Sequence, residues 1–255
     1  MPEGDTILRT ARSLSAWLDG REVTAARSRT VKAPLERVVG RRVVEVEARA
    51  KHLLIRFEGG DVLHTHMQMT GSWHRYKQGE PWRKPAWRAA AVLEAGDHVA
   101  VCFDAPVVEL LTERETDTHR AIAGLGPDVL RPPIDVDEVR RRATTRPPDT
   151  TIGDLLLDQQ VVSGIGNIWR CEVLFARRVH PHTPIGELPA EELDALVTEA
   201  GRLMSAGRGE RWVYGRARRP CRRCGTPVAI ERAGEQARHV YWCPGCQRRR
   251  VSPST

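Results

Sequence analysis

The segment CRRCGTPVAIERAGEQARHVYWCPGC, residues 221–246, contains two Cys-x-x-Cys pairs separated by eighteen residues. Each pair is typical of a tight turn that aims two thiolates at one point, and two such turns form a tetrahedral site suited to zinc. The intervening residues alternate in polarity and carry a turn at Ala233-Gly234, which predicts a β-hairpin. Because so short a stretch buries little apolar surface, we expect the metal to stabilise its fold. The predicted ligands of one structural Zn²⁺ ion are Cys221, Cys224, Cys243 and Cys246.

Arginine-rich segments, RWVYGRARRP and QRRR, flank this hairpin, and the 255-residue chain has a net charge of +7. A basic zinc ribbon favours a partner that carries phosphate. Two disulfides or a redox pair are weaker alternatives, because the N-terminus is no secretory signal. Without an apolar run of transmembrane length, we expect a soluble cytoplasmic protein with no membrane partner. The other two cysteines, Cys102 and Cys171, are predicted to be buried, inert thiols.

Helical patterns precede the hairpin. Thr151 is a capping residue for the first helix, and the turn SGIG joins that helix to the second. Two helices joined by a glycine turn form a unit of the helix-turn-helix type. Pro189 falls in the first turn of a third helix. The predicted helices span residues 151–162, 167–178 and 188–206.

The first half of the chain has a different pattern. Residues 4–19 are periodic in the manner of an amphipathic helix, whereas residues 22–111 form short apolar strands between glycine turns. Regular short strands indicate an antiparallel sandwich or barrel. The predicted fold class is α+β, with an N-terminal helix and an antiparallel β-sandwich before the helical region and the zinc hairpin. The predicted divisions are 1–124 for the β domain, 125–150 for a linker with a short helix at 135–143, 151–210 for the helical domain and 211–255 for the zinc finger.

The N-terminus offers an unusual nucleophile. Met1 precedes Pro2, and removal of the methionine leaves a secondary amine; α-amino groups titrate near pH ~8. Attack of that amine on C1′ of deoxyribose gives an iminium, which is an electron sink for eliminating phosphate from the 3′ and then the 5′ side of the sugar. Glu3 is placed to donate a proton to the ring oxygen and later to accept one. The ordinary alternative is that many chains begin Met-Pro without any catalytic purpose.

Four further features each allow a structural and a functional interpretation. Lys51, in EARAKHLLIRF, is either a solvated residue at the rim of a strand or a cation that faces a phosphate or a reacting sugar. The methionines of HMQMTGSW, residues 66–73, either fill a core or form a wedge that enters a base stack beside a displaced base. Asn167, in the turn GIGN, either caps a helix or holds phosphate together with backbone N–H groups. Arg238, on the hairpin, is an ordinary solvated arginine unless nucleic acid binds there.

Taken in order along the chain, these segments resemble the formamidopyrimidine-DNA glycosylase / endonuclease VIII family of bifunctional base-excision repair enzymes. Single motifs are moderately specific, but seven of them in register cover nearly the whole sequence. The motifs are the Pro2-Glu3 terminus with its helix, AKHLLIRF at 50–57, HMQMTG at 66–71, CFDAPVVELL at 102–111, LGPDVL at 125–130, DQQVVSGIGNIWRCE at 158–172 and the cysteine-rich C-terminal segment.

The resemblance implies a function for each matched residue. In such a protein Pro2 is the nucleophile that displaces the base and forms a Schiff base, and Glu3 is the acid/base residue. Lys51 contacts phosphate near the lesion and assists catalysis. Asn167 and Arg238 grip the phosphates that flank the lesion, in a helix–two-turn–helix domain and a zinc-ribbon finger respectively. The implied partner is damaged duplex DNA, from which the damaged nucleotide is pulled out of the helix.

The opening PEGDT is similar to the endonuclease VIII branch, whereas the formamidopyrimidine branch typically opens PELPE. Gln68 and Met69 resemble the intercalating pair of the endonuclease VIII branch, but Thr70 occupies the position where some relatives have an aromatic residue. After Pro106, VVELLT lacks an arginine-phenylalanine pair of the kind that the other branch inserts opposite the lesion. The sequence therefore favours oxidised pyrimidines, such as thymine glycol and 5-hydroxycytosine or 5-hydroxyuracil, over 8-oxoguanine. Trp169, in place of the usual tyrosine, is interpreted as packing.

Two other classes of protein remain as alternatives. A zinc-ribbon DNA-binding protein without catalysis would keep Asn167, Arg238 and the cysteines, but has no need of Pro2, Glu3 and Lys51 together. A structural or RNA-associated zinc protein would read unpaired bases rather than a lesion in a duplex. A monomer is expected, because one DNA clamp requires no partner subunit.

Overall fold

Helix α1, Gly4–Leu18, begins the fold and buries an apolar stripe, as the sequence periodicity predicts. The stripe consists of Ile7, Ala11, Leu14 and Leu18, which recur at helical spacing on one face. In this computed structural model, residues 2–207, 209–234 and 237–249 are described. Met1 and Arg250, which figure in the sequence predictions, lie outside those residues. The chain divides into two compact units, Met1–Gly124 and Leu125–Thr255.

Eight strands in the first unit form two four-stranded antiparallel sheets, in the orders β1-β6-β7-β5 and β2-β3-β4-β8. One core cluster combines Leu53 and Ile55 of the second sheet with Leu93 and Ala100 of the first, so the two sheets pack face to face. The α1 stripe belongs to the same cluster, and the predicted helix on an antiparallel sandwich is confirmed. In chain order the strands β1–β8 are Ala25–Ser28, Val43–Arg49, His52–Phe57, Asp61–His66, Ser72–Lys77, Ala89–Ala95, His98–Phe103 and Val107–Thr112.

Two short helices, α2 (Glu113–Thr118) and α3 (Arg120–Ala123), follow β8 and are absent from the sequence prediction. Helix α2 begins with a capping box, in which the Thr112 hydroxyl accepts a hydrogen bond from the Glu115 N–H and the Glu115 carboxylate accepts one from the Thr112 N–H. The segment ERETDT has no apolar periodicity, so its helix depends on capping and could not be read from hydrophobic pattern.

The second unit contains four helices, α4 to α7, in its described residues. Three start as predicted: Asp135 caps α4, the Thr151 hydroxyl accepts a hydrogen bond from the Asp154 N–H at α5, and α6 begins at Asn167. The predicted helix from Thr151 to Val162 is wrong, because α5 ends at Leu155 and two turns follow before α6. The helices are Val136–Ala143, Ile152–Leu155, Asn167–Ala176 and Ala190–Ala206.

Side chains in the two turns explain the early end of α5. The Asp158 carboxylate accepts a hydrogen bond from the Gln160 N–H, while the Gln159 amide donates to the carbonyls of Leu157 and Ile165 and accepts from the Gly164 N–H. Such local bonds offer the backbone an alternative to helix. The resulting order of helix, two turns and helix is the arrangement that the family resemblance implies.

Strands β9, Ala229–Ala233, and β10, Arg238–Trp242, pair antiparallel and confirm the predicted hairpin. Their apolar residues form a small core with Cys171 and Phe175 of α6. Cys102 and Cys171 are buried, as predicted; burial raises the pKa of Cys171 to about 11 and also raises the pKa of Cys102, so both thiols stay protonated. Among the described helices none has the length and apolar character needed to cross a membrane.

Candidate active site and nucleic-acid interface

Pro2 and Glu3 lie at the N-terminal end of α1. Glu3 is the extended residue before the helix, and its carbonyl accepts hydrogen bonds from the N–H groups of Thr6 at 2.8 Å and Ile7 at 3.1 Å. The Glu3 residue is fully buried, whereas Pro2 is partly exposed. The first helical turn therefore fixes the backbone of Glu3, directly after the partly exposed Pro2.

Lys51 lies in the two-residue turn between β2 and β3, directly after Ala50, whose φ is +54°. Helix α1 packs against both of these strands, so Lys51 and the Pro2-Glu3 terminus belong to neighbouring elements of one unit. Lys51 also lies near two histidines. Burial, with neighbouring histidines and Lys51 as further causes, lowers the pKa of His52 to about 2 and that of His66 to about 4. Both rings are therefore neutral, and Lys51 lies beside them as a cation.

The loop between β4 and β5 projects the predicted intercalating residues. Met67 is buried, while Gln68 and Met69 are exposed; the exposed fraction of Met69 is 69%. The Thr70 hydroxyl donates a hydrogen bond to the Asp104 carbonyl at 2.9 Å. A Cβ on Gly71 would lie 2.7 Å from Met67 Cα and 3.0 Å from Ala105 Cα, so only glycine allows this approach. The loop is thus anchored at its base and free at Gln68 and Met69.

Asn167, the first residue of α6, is buried against the hairpin. Its Nδ2 donates a hydrogen bond to the carbonyl of His239 at 3.0 Å, and its Oδ1 accepts one from Nη2 of Arg170. Arg170 is 1% exposed, and its Nη1 lies 3.8 Å from Oδ1 of Asp154. The structure therefore brings Asn167 into contact with His239, the neighbour of Arg238, although Asn167 and His239 lie far apart in sequence.

Arg238 begins β10 and lines a polar surface cavity with Arg146, Asp154 and Gln159.

A buried carboxylate also fixes the chain that leads to the hairpin. Glu172 of α6 accepts hydrogen bonds from three successive N–H groups at 2.8–3.1 Å, those of Trp212, Val213 and Tyr214. Asn167 thus joins the hairpin to α6, and Glu172 joins the chain that leads to the hairpin to the same helix.

The four predicted metal ligands converge in the finger. Their sulfur atoms lie within 4.8 Å of one another, with separations of 3.4 Å for Cys224–Cys243, 3.4 Å for Cys224–Cys246 and 3.9 Å for Cys221–Cys246. A tetrahedron with Zn–S bonds of about 2.3 Å has edges of about 3.8 Å. Burial raises the pKa of Cys246 to about 12, while hydrogen bonds with Thr226 lower that of Cys224 to about 6. The cluster of four sulfurs can therefore bind a metal ion.

Sequence reasoning missed Arg170 and Glu172, which position the interface from inside the protein. Their only signal is two charged residues in the largely apolar helix NIWRCEVLFA, of which nine residues are buried. Trp169 is buried in the core of the second unit, as its interpretation as packing requires.

The chain thus combines a buried acid directly after Pro2, an exposed loop with a methionine at its tip, and a hairpin with four clustered cysteines. Comparison with known proteins identifies the family. The family model described as the formamidopyrimidine-DNA glycosylase N-terminal domain matches residues 1–106, and the one described as the formamidopyrimidine-DNA glycosylase H2TH domain matches residues 125–209.

Curated relatives match over almost their whole length. The probable endonuclease 8 2 of Streptomyces coelicolor is 39% identical, over 97% of this chain and 94% of that protein. The DNA-(apurinic or apyrimidinic site) lyase Nei2 of Mycolicibacterium smegmatis is 37% identical, over 97% and 99%. Endonuclease 8 of Escherichia coli is 33% identical, over 97% and 100%.

Solved structures share the fold. Formamidopyrimidine-DNA glycosylase of Lactococcus lactis, non-covalently bound to DNA with an AP site, superposes with a TM-score of 0.84 at 20% identity, over 97% of this chain and 100% of that chain. The chain belongs to the formamidopyrimidine-DNA glycosylase / endonuclease VIII family, which confirms the predicted resemblance and enzyme class, a DNA glycosylase and AP lyase of base-excision repair.

Proposed function

We propose that this enzyme removes oxidised bases, oxidised pyrimidines above all, through a Schiff base on Pro2 and then cuts the strand by β,δ-elimination. The observation that carries the proposal is the pairing of an accessible Pro2 with a buried Glu3 at the start of α1. Relatives that match over nearly the whole chain support it, since they are named endonuclease 8 and AP lyase.

The reaction begins once Met1 has been removed. The Pro2 nitrogen bonds to C1′ of the damaged nucleotide, and the N-glycosidic bond breaks with its electron pair leaving on the base. The proton of the attacking amine passes to the departing base, which leaves a lone pair on the Pro2 nitrogen. Glu3 donates a proton to the ring oxygen O4′, the C1′–O4′ bond breaks, and C1′ becomes the carbon of an iminium. Since a secondary amine gives an iminium with no N–H to lose, the positive charge stays in place as an electron sink.

Elimination follows from that charge. Loss of a proton from C2′ to a base, a role we assign to Glu3, sends electrons towards the iminium and expels the 3′ phosphate. Loss of a further sugar proton expels the 5′ phosphate in the same way, and water then hydrolyses the iminium and restores the Pro2 amine. Every step uses the nitrogen and the carboxylate at the start of α1, so the first unit, residues 1–124, is the proposed catalytic domain.

Damaged duplex DNA is the proposed partner, with the lesion nucleotide turned out of the helix. Lys51 contacts phosphate near the lesion, and Asn167 and Arg238 hold the flanking phosphates from residues 151–210 and from the finger, residues 211–255. Gln68 and Met69 enter the gap in the base stack, because they are the exposed residues of an anchored loop. The absence of an arginine-phenylalanine pair after Pro106 supports pyrimidine lesions over 8-oxoguanine.

Zinc is the proposed metal of the finger. Four cysteine sulfurs at near-tetrahedral separations suit this ion, and the finger's small core gives it a structural function. A linker at 125–150, a monomeric state and a cytoplasmic, nucleoid-associated location complete the proposal.

Borohydride trapping tests the chemistry. The enzyme is mixed with duplex oligonucleotides that carry thymine glycol, 8-oxoguanine or an abasic site, and covalent adducts are resolved by mass. The proposal expects an adduct that is lost in Pro2→Gly and after an N-terminal extension, and that forms faster on thymine glycol than on 8-oxoguanine. A C-terminal extension of equal length is the matched control. Tight DNA binding with no adduct on any substrate would instead indicate the non-catalytic zinc-ribbon protein.

A further inference from the structure

A histidine-rich cluster lies on the face of the β2-β3-β4-β8 sheet that is opposite the sandwich core. His64 of β4 and Glu109 of β8 are direct cross-strand partners, and His119 lies between α2 and α3. The Glu109 Oε2 atom is 3.2 Å from His64 Nδ1 and 3.3 Å from His119 Nε2. One carboxylate oxygen therefore faces two imidazole nitrogens that come from different elements of the fold.

We propose that His64, Glu109 and His119 form a second metal site, which holds a divalent transition ion of the zinc class. The three ligand atoms lie within 4.8 Å of one another. A tetrahedral ion with ligand bonds of about 2.0–2.1 Å has ligand–ligand edges of about 3.4 Å, so two of the three edges already have a suitable length. The third edge, between the two histidine nitrogens, is at most 4.8 Å and closes by rotation of His119, which is partly exposed, as is Glu109.

The donor atoms select the kind of ion. Two imidazole nitrogens and one carboxylate form a set that zinc uses with a fourth position open to water. Imidazole ligands suit zinc and its first-row neighbours, whereas calcium and magnesium prefer oxygen alone. The other Glu109 oxygen, Oε1, lies 3.8 Å from Nζ of the exposed Lys32, so it is turned away from the rings. Oε2 is thus left to face the ion.

His52 supplies the outer support that metal-bound histidines usually have. Its Nδ1 lies 2.8 Å from Nε2 of His64. Coordination through His64 Nδ1 leaves the ring proton on Nε2, where His52 can accept it, and this bond fixes both the tautomer and the orientation of the ligand. The ring of His52 lies 4.7 Å from that of His66, at the base of the exposed loop. The site therefore has a rigid second layer on the sheet.

The ion would fasten the α2–α3 segment to the sheet. Apolar contact there is small, since the local cluster consists of Leu54, Val62 and Ile122. Because the three ligands come from β4, β8 and the junction of α2 with α3, an ion among them ties residues 113–123 to two strands at once. Such an ion stabilises the end of the first unit, and its function is independent of the finger and of the Pro2 reaction.

Metal stoichiometry tests the proposal on the full-length protein. Equilibrium dialysis against zinc, followed by elemental analysis, is expected to give two ions per chain for the wild type and one for His119→Ala and for Glu109→Gln. Glu109→Gln keeps the shape of the side chain and removes only its charge. His74→Ala, a histidine of the same unit outside the cluster, is the matched control and should keep two. One ion in the wild type, or two in both cluster variants, would show that the cluster is a hydrogen-bonded chain only.

Hydrogen exchange gives an independent readout. At a free zinc concentration ten times the dissociation constant of the site, amide hydrogen exchange should slow about tenfold wherever it requires a local opening that releases the ion. We expect that protection in residues 113–123 of the wild type and of His74→Ala, and none in His119→Ala. Because no DNA is present, failure here is separate from failure of the proposed repair reaction. Equal exchange with and without zinc in a wild type that carries two ions would place the second ion elsewhere and overturn the assignment.

Discussion

The side-chain amide of Asn167 donates a hydrogen bond to the backbone carbonyl of His239, the residue that follows Arg238 on the hairpin. The two residues are seventy-two positions apart, yet this bond joins the start of α6 to β10. The guanidinium of Arg170, itself 1% exposed, lies on the other side of the same amide. In this arrangement Asn167 positions the strand that carries Arg238. The proposed role of Asn167 in phosphate binding therefore includes the placement of Arg238, the second residue proposed to contact phosphate.

Replacing Asn167 with alanine should destabilise the second unit. The change removes the hydrogen bonds of the amide to the His239 carbonyl and to the buried Arg170 guanidinium, and leaves these two groups a long contact of 3.4 Å with each other. Removal of a partner from a buried polar or charged group costs about 1–3 kcal/mol. Urea denaturation should show a loss of that size, together with weaker DNA binding. His239→Ala is the control, because it keeps the carbonyl and removes only an exposed ring. An unchanged stability of Asn167→Ala would mean that the amide bond contributes nothing.

Arg238→Ala should reduce the salt dependence of DNA binding. A side chain that neutralises one phosphate releases about one counterion, so the slope of log K against log salt concentration should fall by about one unit. Fluorescence anisotropy on an abasic duplex at several salt concentrations measures the slope. Arg232→Ala, on the neighbouring strand β9, is the matched control and should keep the wild-type slope. Equal slopes in the two variants would show that Arg238 does not contact phosphate.

Met69→Ala should impair base removal without affecting stability. The side chain is 69% exposed, and surface changes usually alter stability by less than about 0.5 kcal/mol. If Met69 fills the gap in the base stack, excision from a duplex should slow while cleavage at an abasic site in a single strand is spared. Met67→Ala is the contrasting variant, since Met67 is buried and its truncation should cost about 2–5 kcal/mol. Duplex excision at the wild-type rate in Met69→Ala would contradict the wedge.

Hydrophobic periodicity accounts for the parts of the fold that the sequence predicted. Helix α1 and the strands of the sandwich each place apolar residues at a fixed repeat, and that repeat is visible in the chain. The end of α5 was mispredicted because Asp158 and Gln159 bond to nearby backbone groups, which is a matter of geometry and not of pattern. The α2 helix was missed for a similar reason, since a capping box substitutes for an apolar face.

The residues of the candidate site likewise fall into two groups, those whose placement the sequence predicted and those whose placement it did not. Cysteine spacing predicted the convergence of four sulfurs, because the two pairs are local and the hairpin between them is short. The placement of Asn167 against His239 was outside the reach of the sequence, since it depends on the burial of Arg170 and on a contact between distant segments. Residues whose chemistry is local could be predicted, and residues that act through a tertiary contact could not.

Loss of the finger's metal should unfold the hairpin and leave the sandwich intact. Cys224 is the exposed member of the four cysteines, so Cys224→Ser removes a ligand with little loss of buried surface. The sandwich core includes no residue of the finger core, so the two should melt separately. We expect the variant to lose one zinc ion per chain and the binding of abasic duplex DNA, with the sandwich transition unchanged in calorimetry. Normal metal content and DNA binding in Cys224→Ser would contradict a four-cysteine site.

Acid should weaken the contact between His180 and the end of the hairpin. His180 is buried beside the Trp242 ring, and its Nδ1 accepts a hydrogen bond from the His182 N–H at 3.2 Å. Burial, with His182 and Arg249 as further causes, lowers the pKa of His180 to about 4. The unfolded chain, with a histidine pKa near ~6.5, therefore binds more protons than the folded one between those two values.

The stabilisation from His180 is consequently complete above about pH 6.5 and is lost as the pH falls towards 4. His180→Asn keeps an acceptor oxygen near the position of Nδ1 but cannot be protonated in this range, so its stability should fall less between pH 7.5 and pH 5 than that of the wild type. Urea midpoints at the two pH values measure the difference, and protonation of the zinc ligands cancels because both proteins share it. Parallel losses in the two proteins would show that His180 does not titrate in this window.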